Sequence, residues 1–219
     1  MTIDIRSQYL NNNQKNTHQE MIRVDHAGEY GANVIYQGQI AAFKLKNDNQ
    51  TIALIEKMKK QEEEHFTYFN QKIQQYKIRP SIMHPIWHFG GFALGFATAM
   101  ISKKAAMVCT TAVEEVIDSH YQEQLQILDD FSAQFTSDDK NQSSKIESSI
   151  VNDDISSNIN ISKQDCVDLS SKIADFRNDE LEHRDTAYNN QAKDFILFTP
   201  LSLAIKLITK TAIIISKKI

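Results

Sequence analysis

Apolar residues recur along this chain at helical spacing, and four of the stripes they form are interrupted by glutamate or histidine. Ile55, Met58 and Phe69 share a face with Glu62 and His65, and Ile173, Phe176 and Ala187 share one with Glu180 and His183. Ile22 and Tyr36 flank Glu29 at two-turn intervals, while Met107, Ile117 and Tyr121 lie on the stripe of Glu114. One apolar face repeating every 3.6 residues marks a helix turned towards a core. Each stripe therefore carries an ionisable group inwards, where a bare charge is costly.

The pattern predicts a polar, flexible leader over 1–18 and a first long helix over 19–46. Gly28, Gly31 and Gly38 weaken that helix intrinsically and imply close backbone packing or a nearby ligand. Asp48 or Asn49 caps a second helix, which ends near Tyr76 ahead of Pro80. A third helix is expected over 103–135 and a fourth over 163–193. Between these two, residues 136–163 are rich in Ser, Asn and Asp without an aromatic, a low-complexity insertion. The fold class is all-α, a four-helix bundle with 19–219 as one domain.

Two apolar stretches lie outside the four stripes. Residues 80–102 carry glycines at 90, 91 and 95, and their apolar part is too short to span a bilayer as a helix. Residues 195–216 are long enough but contain Lys206 and Lys210. Thr199, Ser202, Lys206, Thr209, Lys210 and Lys217 fall on one narrow side of that helix, opposite Leu, Ile, Ala and Phe. This predicts an amphipathic C-terminal helix in the membrane interface with its lysines towards the headgroups. The alternative is a helix docked on the bundle with a small wet face. Trp87 is either an interfacial anchor or a core residue.

Composition narrows the picture. With 219 residues the chain can bury one sizeable core, and only 6 Gly and 3 Pro favour helices throughout. A net charge of −4 without a basic stripe excludes a nucleic-acid partner. Cys109 and Cys166 stand far apart, as in a reducing compartment, and the first residues show no apolar secretory signal.

Chemistry enters through the order of the ionisable residues. Glu29 is followed by Glu62-x-x-His65, and Glu114 by Glu180-x-x-His183. Of 7 histidines only these two have Glu three positions earlier. At that spacing a carboxylate and an imidazole reach the same ion, and two such pairs plus two single glutamates on four helices are a dinuclear metal site. Two divalent cations neutralise four glutamates, and oxygen and imidazole donors suit iron or manganese above structural zinc. Among neighbouring glutamates, Glu63, Glu64 and Glu182 lack the spacing, and Glu115 points about 100° away from Glu114. Tyr121 is a candidate hydrogen-bond donor to a bound species or an ordinary core tyrosine. Asp25 and Asp118 each stand four residues from a candidate glutamate and either orient a ligand histidine or serve as solvated or capping residues. GGFALG at 90–95 is no dinucleotide fingerprint.

The blocks MIRVDHAGEYGAN (21–33), QEEEHF (61–66), FGGFALGFATAM (89–100), AVEE with His120-Tyr121 (112–121) and FRNDELEHRD (176–185) resemble the demethoxyubiquinone hydroxylase family, a branch of the ferritin-like di-iron proteins. The resemblance covers 19–135 and 164–219; the 136–163 insertion departs from it. It implies a ferritin-like bundle holding two iron ions on Glu29, Glu62, His65, Glu114, Glu180 and His183. It further implies O2-dependent hydroxylation of a demethoxyubiquinol ring in ubiquinone biosynthesis, with an external reductant. The expected setting is peripheral, on the cytoplasmic face of a bacterial inner membrane or on the mitochondrial inner membrane. Candidate partners are a lipid quinol, other ubiquinone-biosynthesis proteins and a second copy of the chain. Two other readings use the same residues, a ferritin-like oxidase of iron or peroxide and a membrane scaffold with a vestigial site. Neither a soluble cage nor a cysteine-rich peroxidase calls for the two apolar segments, and retention of all six ligand types argues against the scaffold.

Overall fold

The computed structural model describes residues 9–141 and 161–218. Six α-helices follow in order: α1 (Asn12–Leu45), α2 (Asn49–Gln75), α3 (His84–Ile101), α4 (Lys103–Asn141), α5 (Lys163–Asn189) and α6 (Phe198–Lys218), with a 3₁₀ turn at Ala192–Asp194. Helices α1, α2, α4 and α5 form the bundle. The chain builds it twice: α1 pairs with α2 and is overlaid by α3, then α4 pairs with α5 and is overlaid by α6.

Local chemistry sets the boundaries. Asp48 accepts the Thr51 N–H at 3.0 Å and starts α2. Ser162 and Asp165 form a reciprocal capping box at α5. Asn47, Lys77 and Gln191 take positive φ (55°, 50° and 66°) where α1, α2 and α5 give way to turns.

Three boundaries differ from expectation. Helix α1 starts at Asn12, inside the predicted leader, because Asn11 and Gln14 form a capping box there. Leu10 and His18 are buried, and the Leu10 N–H donates to the Ile161 carbonyl at 2.9 Å, so this end is tied to the start of α5. Residues 1–8 of that leader lie outside the described residues. Helix α4 runs to Asn141, six residues beyond the predicted 135. Of the 136–163 segment, 142–160 lie outside the described residues, while Ile161 is buried and Ser162 caps α5. Helix α5 ends at Asn189, and the four residues expected to continue it pass into the 3₁₀ turn.

Helix α3 lies on α1 with backbone against backbone. A Cβ on Gly38 would collide with the Phe92 carbonyl oxygen, and one on Gly95 with that of Ile35. By contrast, Gly28 and Gly31 face open space, and both line the cavity described below. Close backbone packing thus falls on Gly38, while Gly28 and Gly31 border the cavity.

Helix α6 turns its apolar side outwards, as expected of a membrane-seeking helix, but part of its polar stripe is taken up by the bundle. Ser202 is buried and Lys206 pairs with Glu115 of α4, while Thr199 and Lys210 stay exposed. Leu203, Leu207, Ile208 and Ile214 face outwards, Leu207 being 69% exposed. Of the described helices only α6 is long and apolar enough to cross a membrane. Helix α3 likewise exposes Ile86, Phe89 and Phe92.

Candidate metal centre

The six singled-out residues converge in the middle of the bundle. Glu29 comes from α1, Glu62 and His65 from α2, Glu114 from α4, and Glu180 and His183 from α5; none is more than 1% exposed. Their ligand atoms form two groups, Glu29–Glu62–His65–Glu180 and Glu62–Glu114–Glu180–His183, each with all atoms within 4.8 Å of one another. Glu62 and Glu180 belong to both groups. Each half of the chain thus contributes one shared carboxylate, one unshared carboxylate and one imidazole.

The histidines enter by Nδ1. That atom of His65 lies 3.2 Å from Glu180 and 3.5 Å from Glu29, and that of His183 lies 3.0 Å from Glu62 and 3.5 Å from Glu180. The outward nitrogens are held across the bundle. Asp179 lies 3.0 Å from His65 Nε2, and Gln61 Oε1 lies 3.1 Å from His183 Nε2. With Nδ1 bare towards the centre, both Nε2–H groups donate, fixing the tautomer a metal needs. Gln61 also donates to Asp179 at 3.1 Å.

Asp179 and Gln61 occupy the role considered for Asp25 and Asp118, neither of which reaches a candidate ligand histidine. Asp118 pairs with Arg177 at 2.6 Å, and Asp25 accepts from Gln124 at 2.8 Å. The overlooked signal is short: Asp179 and Gln61 each immediately precede the glutamate of a Glu-x-x-His pair.

Two tyrosines brace the unshared glutamates, again across the halves. Tyr36 of α1 donates to Glu114 at 2.7 Å, and Tyr121 of α4 donates to Glu29. Each stands seven residues after its own half's glutamate and serves the other half's. Burial first, then the carboxylate charges, push both phenols well above their ordinary range. They stay protonated and act as donors. The competing glutamates have other partners: Glu115 takes Tyr188 and Lys206, Glu63 pairs with Lys59, and exposed Glu182 pairs with Lys57.

Electrostatics show what this cluster lacks. Burial, then the charge of Glu180, raises Glu62 and Glu114 well above the usual carboxylate range. Burial opposes ionisation of Glu180 too, yet the adjacent His183 and His65 imidazoles hold it at about 2. Burial likewise opposes charge on His65, but Glu180 and Glu29 lift it to about 12. Within the cluster itself, a proton on an imidazole supplies positive charge and a proton on a carboxyl group merely removes negative charge. Both oxygens of Glu62 and Glu180, one each of Glu29 and Glu114, and both histidine Nδ1 atoms have no hydrogen-bond partner. Buried polar atoms of this kind normally do. Two divalent cations satisfy them together, so the residues fit a dinuclear metal.

A cavity of about 380 Å³ reaches Glu29 and Tyr121 from between α3 and α6. Its walls include Gly28 and Gly31 of α1, Trp87 and Leu94 of α3, Val113 and Ile117 of α4, and Ile208 and Ile213 of α6. Trp87 is half-buried in this wall.

Four helices around a paired carboxylate–histidine cluster, overlaid by two more, define a ferritin-like bundle with a candidate dinuclear centre. Within that class the chain belongs to the family of ubiquinone biosynthesis protein COQ7, whose model matches residues 16–216. A protein of Rhodospirillum rubrum named 3-demethoxyubiquinol 3-hydroxylase is 37% identical over 198 residues, covering 90% of this chain and 76% of the relative. The mitochondrial NADPH-dependent 3-demethoxyubiquinone 3-hydroxylase of Dictyostelium discoideum is 38% identical, over 92% of this chain and 77% of its own length. The mitochondrial 5-demethoxyubiquinone hydroxylase of Saccharomyces cerevisiae is 37% identical, over 88% and 74%.

Proposed function

We propose that this protein is a di-iron monooxygenase that hydroxylates the ring of a demethoxyubiquinol with O2. One oxygen atom enters the ring, the other leaves as water, and an external reductant supplies two electrons with two protons. The continuity of the apolar cavity with the Glu29–Tyr121 edge of the candidate metal cluster carries this reading. The names of its relatives supply the substrate class.

Glu29, Glu62, His65, Glu114, Glu180 and His183 hold the irons, which supply O2 binding and electron transfer that side chains lack. Asp179 and Gln61 fix the two imidazoles. Tyr36 and Tyr121 fix the two unshared carboxylates, leaving one oxygen of each for metal. The apolar wall keeps bulk water from the ring. A quinol with a long prenyl tail resides in lipid, so the substrate enters from a membrane. The outward apolar sides of α3 and α6 flank the cavity and rest on that membrane, with Trp87 at the entrance. The protein is peripheral, on an inner bacterial or mitochondrial membrane. Residues 19–219 act as one functional unit, with 136–163 a low-complexity insertion.

The test is anaerobic loading with Fe(II), then O2, reductant and demethoxyubiquinol. The expected product gains one oxygen by mass spectrometry; an unmodified quinol from iron-loaded protein rejects the proposal. Glu62→Ala and His183→Ala should each remove iron and product together.

A further inference from the structure

The cavity has one polar corner besides the metal edge. Asp25 of α1 is 3% exposed and belongs to the cavity wall, as does His120 of α4. Gln124 of α4 lies behind them and donates its amide nitrogen to Asp25 Oδ1 at 2.8 Å. The same nitrogen lies 3.0 Å from His120 Nε2, which is 3.5 Å from Asp25 Oδ1. Gln124 has two N–H bonds, so it serves both neighbours, and His120 then carries its proton on Nδ1.

This arrangement satisfies Asp25 Oδ1 and leaves Asp25 Oδ2 without a partner. Among the buried polar atoms of the cavity residues, the other without a partner is Glu29 Oε2, which faces His65 Nδ1 in the metal cluster. The Tyr121 and Thr209 hydroxyls are already donating, to Glu29 and to the Ile205 carbonyl. A neutral ring entering this cavity therefore meets one unclaimed buried acceptor that is not a candidate metal ligand. A buried oxygen left unmatched is costly, and a ligand O–H supplies what it lacks.

We propose that Asp25, aimed by Gln124 and His120, accepts a hydroxyl of the substrate ring and so selects the reduced quinol over the quinone. This rests on the quinol reading above and adds the group that distinguishes the two redox states. A quinol hydroxyl donates to Oδ2; a quinone presents carbonyls, which only accept and face Oδ2 unpaired.

Binding of a short-tailed demethoxyubiquinol and its quinone, measured without O2 on protein loaded with zinc so that neither ring form reacts, tests this. The wild type should bind the quinol about fivefold more tightly, the value of one hydrogen bond. Asp25→Asn is nearly isosteric but turns an N–H towards the ring while its oxygen keeps the Gln124 bond. Its preference should vanish or reverse with metal content unchanged. Gln124→Leu keeps Asp25 but removes its aim, and should shrink the preference. A wild type with no preference or favouring quinone, or an Asp25→Asn protein that keeps the wild-type ratio, overturns the inference. If iron-loaded protein still hydroxylates the quinol, the functional reading survives that result. If neither ring form binds the wild type, both fall.

Discussion

The imidazole of His65 is aimed by a carboxylate and that of His183 by an amide, which makes the two metal positions unequal. Asp179 strengthens His65 as a donor more than Gln61 strengthens His183. Asp179→Asn should lower metal affinity by about 10- to 100-fold, read by competition with a chromogenic chelator. Gln61→Leu should cost less, because no charge is lost. The convergence of the candidate ligands is legible in the sequence, since a Glu-x-x-His pair, or a lone glutamate, on an apolar stripe is a property of one helix. Asp179, Gln61 and Tyr36 act on the opposite half, a relation that no single-helix periodicity carries. The same limit leaves Asp25 and Asp118 open between two roles, because their four-residue offset from a glutamate concerns their own helix, while their partners Gln124 and Arg177 are settled by packing.

At the scale of helices, the α1–α3 contact depends on two hydrogens. Gly95→Ala forces a methyl into the Ile35 carbonyl, where backbone cannot yield, and should cost about 2 kcal/mol in denaturant unfolding. Gly90→Ala meets nothing within 4 Å and should be neutral, or stabilising by about 1 kcal/mol from helix propensity. Helix α6 shows how far a helical wheel goes. The wheel separated the polar and apolar sides correctly, but which side turns inwards depends on a partner 91 positions earlier, Glu115 for Lys206. Replacing Leu203, Leu207 and Ile214 with serine should abolish sedimentation with liposomes while leaving helicity and metal content intact, since all three face outwards. Unchanged sedimentation would reject the membrane-facing role of α6.

Across the whole molecule, acid acts on the end of the bundle where the sequence predicts a flexible leader. His18 is fully buried against the Tyr76 ring with neither nitrogen bonded, and burial lowers it from 6.5 to about 4 despite Asp165 nearby. The folded state thus keeps His18 neutral where the unfolded chain protonates it. That stability is complete above pH 6.5 and is lost as pH falls towards about 4. The loss amounts to about 3 kcal/mol. His18→Phe should flatten this part of the pH–stability curve, measured as urea midpoints at neutral pH and at pH 5. His26, also lowered to about 4 by burial and by His84, should leave a residual slope of the same sign.

The crossed bracing also bears on synthesis. When α1 to α3 have left the ribosome, three of the six candidate ligands exist, but the groups that orient His65 and Glu29, namely Asp179 and Tyr121, have yet to be made. A nascent first half therefore offers a metal ion only an unaimed imidazole and unbraced carboxylates. On the metal reading, tight capture should wait until the second half has been made.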